Sequence, residues 1–270
     1  MCELFGMSAK FPSTIRLSLD ELALHGGATG PHRDGWGVAF MQSGDALVVR
    51  EPEAASESHW LSFMRQHDPR SGTVIAHIRR ATRGERLLRN TQPFQRELGG
   101  RVHVFAHNGT LSFDDEEFRF PAIQFRPVGD TDSELAFCAL LERMRLAWKE
   151  GIPSLAERIA IIEPFAADLR TLGQANFLYA DNDALFAHGH RRKNAVGVVE
   201  APGLYTLCRT CNAETDGVVP PIAGLSMAHH AEQVVALVAS VPLSNERWQP
   251  VAEGELVVLR EGRIVHRSVP

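Results

Sequence analysis

The chain has 270 residues, 44% of them hydrophobic and 7% aromatic, which is enough apolar content to bury a full core in one domain. Its formal charge of -5 and pI near 6.2 argue against nucleic acid and the membrane surface as partners, because both attract basic proteins, and leave a small charged or zwitterionic ligand as the better fit. No apolar run approaches the roughly 18 residues that span a bilayer, and the N-terminus lacks the basic and apolar regions of a secretory signal. A cytoplasmic protein with reduced thiols is therefore expected.

Residues 2–8 read as a short apolar strand that opens on Cys2, directly behind Met1. An aminopeptidase that removes Met1 would leave a thiol and a free α-amine on one residue, a nucleophile beside a weak base. The plainer reading of Cys2 is a small apolar residue at a strand start. A helix is expected near Ser18, where Ser18 and Glu21 have capping-box spacing, and Gly26 and Gly27 end it. "WGVAFMQSGDALVVR" signals a hairpin turning at Ser43, Gly44 and Asp45. Residues 57–66 form an expected helix and 72–80 a buried strand. After a polar loop, residues 101–109 form a strand that stops at Asn108 and Gly109.

Apolar residues recur at helical spacing from Thr131 to about Glu150, and a second helix is expected over 153–169. The last hundred residues turn strand-rich again, from "ANFLYAD" to "RIVHRSV". Strands, then two helices, then strands is a pattern for segregated layers rather than alternating βαβ units. With no repeat and no linker, a single domain over 1–270 is expected.

Four stretches carry candidate chemistry: "MCELFG", "AHIRRATRG", "AHNGTL" and "GDTDSE". Singly, each has a bland reading. Arg79 fits a solvated strand-end charge, Asn108-Gly109 an ordinary type I′ turn, and Thr131 with Glu134 a helix cap. Together they resemble the class II glutamine amidotransferases of the N-terminal nucleophile (Ntn) hydrolase superfamily, whose motifs are H-x-R-x-x-T, H-N-G and T-D-[ST]-E. The likeness is strongest over residues 2–210 and extends along the chain. "MCELFGMS" and "GPHRDGWG" further resemble the small stand-alone, YafJ-like members that lack a fused synthase domain.

The resemblance implies an α+β fold, a four-layer αββα sandwich of two mainly antiparallel sheets. It also implies that Cys2 attacks the glutamine side-chain amide and forms a γ-glutamyl thioester. A thiol with pKa about 8.5 beside an α-amine near about 8 can pass on its proton without a histidine base. By the same resemblance, the Asn108 side chain and the Gly109 N–H stabilise the oxyanion. Arg79 with Thr82 takes the substrate α-carboxylate, and Asp132 takes the α-ammonium. No cofactor and no metal are implied. The ammonia goes to a partner synthase or another acceptor; the alternatives are hydrolysis of a larger γ-glutamyl amide, or a non-catalytic glutamine-binding module.

Two departures from the family pattern stand out. Arg80 and Arg83 replace an aromatic residue and a histidine, giving a more basic rim, and Arg33 stands out of register with the family arginine that closes the glutamine site. Arg33 either takes that substrate-binding role or packs its own loop. Elsewhere, Cys208 and Cys211 lack two further ligands for zinc, and the adjacent His229 and His230 make a poor chelating pair. The His188-x-His190 run fits an exposed hairpin end better than a metal pair, and residues 113–118 fit a solvated acidic face. Trp248 fits a packing role, with reach to the acceptor side as the alternative.

Overall fold

The structure is a computed structural model that describes residues 2–15, 24–82, 84–113, 124–194, 197–212 and 232–268. In chain order its main elements are β1 (Glu3–Ser13), β2 (Trp36–Gln42), β3 (Asp45–Glu51), α1 (His59–His67), β4 (Ser71–Ile78), β5 (Phe94–Leu98) and β6 (Arg101–Asn108). These are followed by α2 (Asp132–Met144), α3 (Leu155–Leu172), β7 (Asn176–Ala180), β8 (Leu185–His188), β9 (Arg192–Lys193) and β10 (Val199–Glu200). The last are β11 (Tyr205–Asn212), β12 (Glu232–Ala239), β13 (Gln249–Pro250), β14 (Leu256–Arg260) and β15 (Arg263–Arg267).

Seven strands form one sheet in the order β13-β11-β12-β1-β4-β2-β3, and six form a second in the order β15-β14-β8-β7-β6-β5. Every pairing described within them is antiparallel. Side chains alternate along β1 with the strand period of two: Phe5, Met7 and Ala9 join the core on one face, while Leu4 points to the other sheet. Between the sheets Leu4, Ile75 and Val238 meet Val104, Leu178 and Leu185. Each fully buried side chain of this size contributes about 1.5–3 kcal/mol.

The outer face of the six-stranded sheet is covered by α2 and α3, where Phe137 stacks on Phe105 at 5.4 Å. The outer face of the seven-stranded sheet receives Leu61 and Met64 of α1. The order α2/α3, sheet, sheet, α1 gives the expected four-layer αββα sandwich, with one helical layer much thinner than the other. Thr131 caps α2 through the Glu134 N–H, and Ser154 with Glu157 closes a full capping box on α3.

Several boundaries differ from expectation. α2 ends at Met144 because the apolar stripe stops there: Leu146 is exposed, and a 3-10 turn at Ala147–Glu150 follows. β5 falls in a segment read as loop, since its central residues Gln95, Arg96 and Glu97 are polar. Gly99 and Gly100, at φ of 63° and 76°, provide the turn that joins β5 to β6, and their dipeptide is the hairpin signal the reading missed. The expected helix at Ser18 and Glu21, residues 114–118 of the acidic stretch, Arg83, His229 and His230 lie outside the described residues.

Candidate active site

Three hydrogen-bonded contacts join the four motif stretches in sequence. Cys2, just ahead of β1, has its Sγ 3.3 Å from the Arg80 N–H and 3.4 Å from the Arg80 carbonyl. The Thr82 hydroxyl lies 3.3 Å from that of Thr110, two residues past Asn108. The Leu111 N–H then donates to Asp132 Oδ2 at 2.6 Å, at the first turn of α2. The ends of β4 and β6, the start of β1 and the start of α2 thus converge at one end of the two sheets.

Each side chain there is held by its surroundings. Arg79 is only 3% exposed, and its guanidinium donates to the carbonyls of Gly84 and Glu85, both at 3.0 Å, so the arginine shapes the loop beyond it. Asn108 is fully buried; its carbonyl accepts from Asn176 Nδ2 at 3.0 Å, and its Nδ2 donates to Ser240 Oγ at 3.3 Å. Its Oδ1 has no hydrogen-bond partner among the described residues. Gly109 is required by close approach, because a Cβ there would lie 1.7 Å from the Gln174 carbonyl oxygen. Asp132 also accepts the Ser133 N–H at 2.9 Å, a first-turn donor of its own helix.

Burial pushes the Cys2 thiol above its ordinary value, against the pull of the Arg80 N–H and the Arg79 charge, while Asp132 adds to the rise. The thiol therefore needs a nearby base to ionise at neutral pH. His107 is not in a position to be that base. Its Nε2 must donate to the Gln174 carbonyl at 2.8 Å, since a carbonyl can only accept, and its Nδ1 then accepts from Ser133 at 2.9 Å. Burial lowers its pKa, so it stays neutral and braces the Gly109 turn. His77 is fully buried, and its pKa falls to about 3 through burial and the nearby Arg79 charge. Neither of its ring nitrogens has a partner among the described residues.

Beside Cys2 opens a cleft of about 990 Å³. It is lined by Glu3, His32 and the Arg80–Thr82 segment together with Arg192, Lys193 and Tyr205. Burial would raise the Glu3 carboxyl, but a 2.7 Å hydrogen bond from His25 and the charge of that ring hold it below the ordinary carboxylate value.

The family profile for glutamine amidotransferases class-II matches residues 1–269. This chain belongs to that family. Over 259 residues it is 35% identical to YafJ of Escherichia coli K12, which bears a glutamine amidotransferase name, covering 94% of this chain and 96% of that protein. A Haemophilus influenzae relative of similar name is 33% identical over 264 residues, covering 97% and 85% respectively. Among solved structures, a Pseudomonas aeruginosa PA01 protein described as a predicted glutamine amidotransferase superposes with a TM-score of 0.69 at 32% identity, covering 98% of this chain and all of that one. The Bacillus subtilis glutamine phosphoribosylpyrophosphate amidotransferase shares the fold, with a TM-score of 0.61 at 15% identity, over 99% of this chain and 49% of its own.

Within this amidotransferase chain, not every residue singled out in the sequence joins the convergence. The Arg33 guanidinium donates to the Gly27 carbonyl at 2.8 Å and the side chain is exposed, so Arg33 is spent on its own loop. Trp248 packs in the outer core of the seven-stranded sheet with its Nε1 on Ser244 at 3.1 Å. The expectation of an exposed hairpin at His188 and His190 is corrected. His188 is fully buried, donating Nδ1 to the Ala175 carbonyl at 2.6 Å and accepting from Arg170, and His190 accepts the Ala175 N–H at 3.3 Å. The two rings brace the start of β7, a need that an H-x-H pattern does not announce.

Cys208 is exposed on β11, and the Cys211 side chain lies outside the described residues. Among the described residues, no group of three or more His, Cys, Asp and Glu side chains is arranged for a metal, and no helix is long and apolar enough to cross a membrane. Ser240 and Glu3 carried no signal beyond their neighbours' motifs, yet both sit against the convergence.

Proposed function

We propose that this protein is a glutaminase that uses Cys2, freed of Met1, as its nucleophile. The observation that carries the reading is the run of contacts Cys2–Arg80, Thr82–Thr110 and Leu111–Asp132, which ties together four stretches far apart in the chain. In this reaction the thiol proton passes to the α-amine, directly or through one water, and Sγ bonds to the side-chain carbonyl carbon of glutamine. The carbonyl electron pair moves onto oxygen, where Asn108 Nδ2–H and Gly109 N–H stabilise it; a donor of this kind is worth about 10²–10³ in kcat. Collapse breaks the C–N bond, and the α-ammonium returns its proton to the departing ammonia. Water then cleaves the γ-glutamyl thioester to glutamate and the free thiol. Arg79 and Thr82 hold the α-carboxylate and Asp132 the α-ammonium. Ammonia passes to an acceptor on a partner protein, which co-purification with a synthase would support.

The test is intact-mass spectrometry before and after treatment with the glutamine-like electrophile 6-diazo-5-oxo-norleucine, with Cys2→Ala as control. Loss of Met1 and a single adduct that Cys2→Ala abolishes are expected. A retained Met1 with no adduct would leave a binding module without the chemistry.

A second reading is favoured by the cleft, whose volume of about 990 Å³ far exceeds what departing ammonia requires. With Arg80, Arg192 and Lys193 on its walls, it suits a γ-glutamyl amide whose amine half is larger and carries an acidic group. A kcat/KM at least about tenfold higher for such an amide than for glutamine would select this reading over the first.

A further inference from the structure

Ser240 lies just past the end of β12, outside every motif, and is fully buried. Its Oγ accepts the Leu4 N–H at 3.0 Å and stands 3.3 Å from Asn108 Nδ2. Its own N–H donates to the Leu4 carbonyl at 3.0 Å, and its carbonyl accepts from Arg192 Nη1. One residue therefore touches the strand that follows Cys2, the Asn108 side chain and a wall of the cleft.

Hydrogen-bond counting at this node decides which way the Asn108 amide faces. With Nδ2 toward Ser240, the serine oxygen receives two N–H donors, its own proton has no acceptor among the described residues, and Asn108 Oδ1 is buried with no donor. A buried acceptor left without a donor is costly. A half-turn of the amide exchanges its oxygen and nitrogen within the same shape. The Ser240 O–H then donates to Oδ1, satisfying both oxygen and hydroxyl, and the Nδ2–H groups take the buried position, where among the described residues they have no acceptor and stand ready for a substrate oxygen.

We propose that Ser240 is a positioning residue: pinned by the Leu4 N–H, it donates to Asn108 Oδ1 and so presents Asn108 Nδ2 to the oxyanion. The catalytic part of this inference rests on the reading of Asn108 given above; the direction of the hydrogen bond does not. Leu4 is two residues from Cys2, so the same hydroxyl keeps nucleophile and oxyanion donor in register.

The test pairs a neutron crystal structure of the wild-type protein with the kinetics of Ser240→Ala and Ser240→Thr. The neutron map is expected to place the hydroxyl deuterium of Ser240 toward Asn108 Oδ1. Ser240→Ala is expected to lower kcat for glutamine about 10- to 100-fold with KM changed by less than about twofold, because the lost group acts only once charge develops on the substrate oxygen. Ser240→Thr keeps the hydroxyl and recovers most of the rate, which a general loss of packing would not allow. A map showing Asn108 Nδ2 donating to Ser240 overturns the proposal whether or not glutamine is turned over. So does a Ser240→Ala protein whose kcat stays within about threefold of wild type. Wild-type protein that neither releases ammonia nor labels Cys2 removes the glutaminase reading instead, and the neutron map still decides the direction of the Ser240 bond.

Discussion

At the end of the sandwich away from Cys2, the buried Arg158 gives one guanidinium nitrogen to Asp181 at 2.7 Å and the other to Asp183 at 2.6 Å. Beside it, His103 donates to the Leu98 carbonyl at 3.1 Å and accepts the Tyr179 hydroxyl at 2.6 Å. At the Cys2 end, among the described residues, neither His77 ring nitrogen is bonded, one end of the buried Asn108 amide has no partner and Arg192 Nε lacks an acceptor. The same strands run through both regions, since β6 and β7 pair from Val104↔Ala180 at one end to Asn108↔Asn176 at the other. Trp148 Nε1 is the exception, an orphan at the far end. Buried polar groups that answer one another hold a fold together, whereas those left without partners mark where a ligand has to complete the set.

The contrast can be broken by substitution, starting with the largest effect. Arg158→Met leaves Asp181 buried without its counter-charge and should cost about 3–5 kcal/mol of stability, read from urea unfolding. Asn108→Ala, its counterpart at the Cys2 end, should lower kcat about 10²–10³-fold and cost about 1–2 kcal/mol of stability, through its one side-chain hydrogen bond to Ser240. Comparable losses of stability in the two variants would erase the distinction between the ends.

Acid sharpens it further. His77 and His103 have pKa values lowered to about 3 and about 4, both chiefly by burial, so the unfolded chain binds protons below about 6.5 that the folded one refuses. Stability should therefore fall as pH drops from 6.5 towards 4, by up to about 1.4 kcal/mol per pH unit for each histidine. His77→Leu, which removes no hydrogen bond seen among the described residues, should flatten that slope by one proton and spare stability at pH 7. His103→Leu should flatten it too, yet cost about 1–3 kcal/mol at pH 7, a cost that shrinks as pH falls, because the Tyr179 hydroxyl loses its acceptor.

The smallest effects come from the helix caps. Thr131→Ala on α2 and Ser154→Ala on α3 should each cost about 1 kcal/mol. Only the first should also raise KM for glutamine, since the turn it caps carries Asp132.

The motif residues were legible because each stands at a strand or helix end where the apolar pattern breaks: Arg79 past β4, Asn108 at the end of β6, Asp132 at the start of α2. Segregated layers were legible from two runs of strands separated by two helices, and the four-layer sandwich from the family resemblance. What stayed hidden was pairing across long stretches of chain. Nothing local places β1 between β4 and β12, and Ser240 meets Leu4 and Asn108 across separations of 236 and 132 residues. β5 escaped notice because a strand with only its ends buried, Phe94 and Leu98, has too short an alternation to read. His188 and His190 misled because both rings bond the main chain of Ala175, just ahead of β7, and a main-chain partner leaves no mark on side-chain identity.

The central position of β1 has a consequence for biosynthesis. Phe5 pairs with Ala239, so the strand that follows Cys2 gains one of its two neighbours only after the chain has been made through residue 239. Contacts of such long range close late in folding. A nascent chain therefore exposes its first thiol long before the groups that would activate it are in place, and the appearance of activity reports that folding is complete.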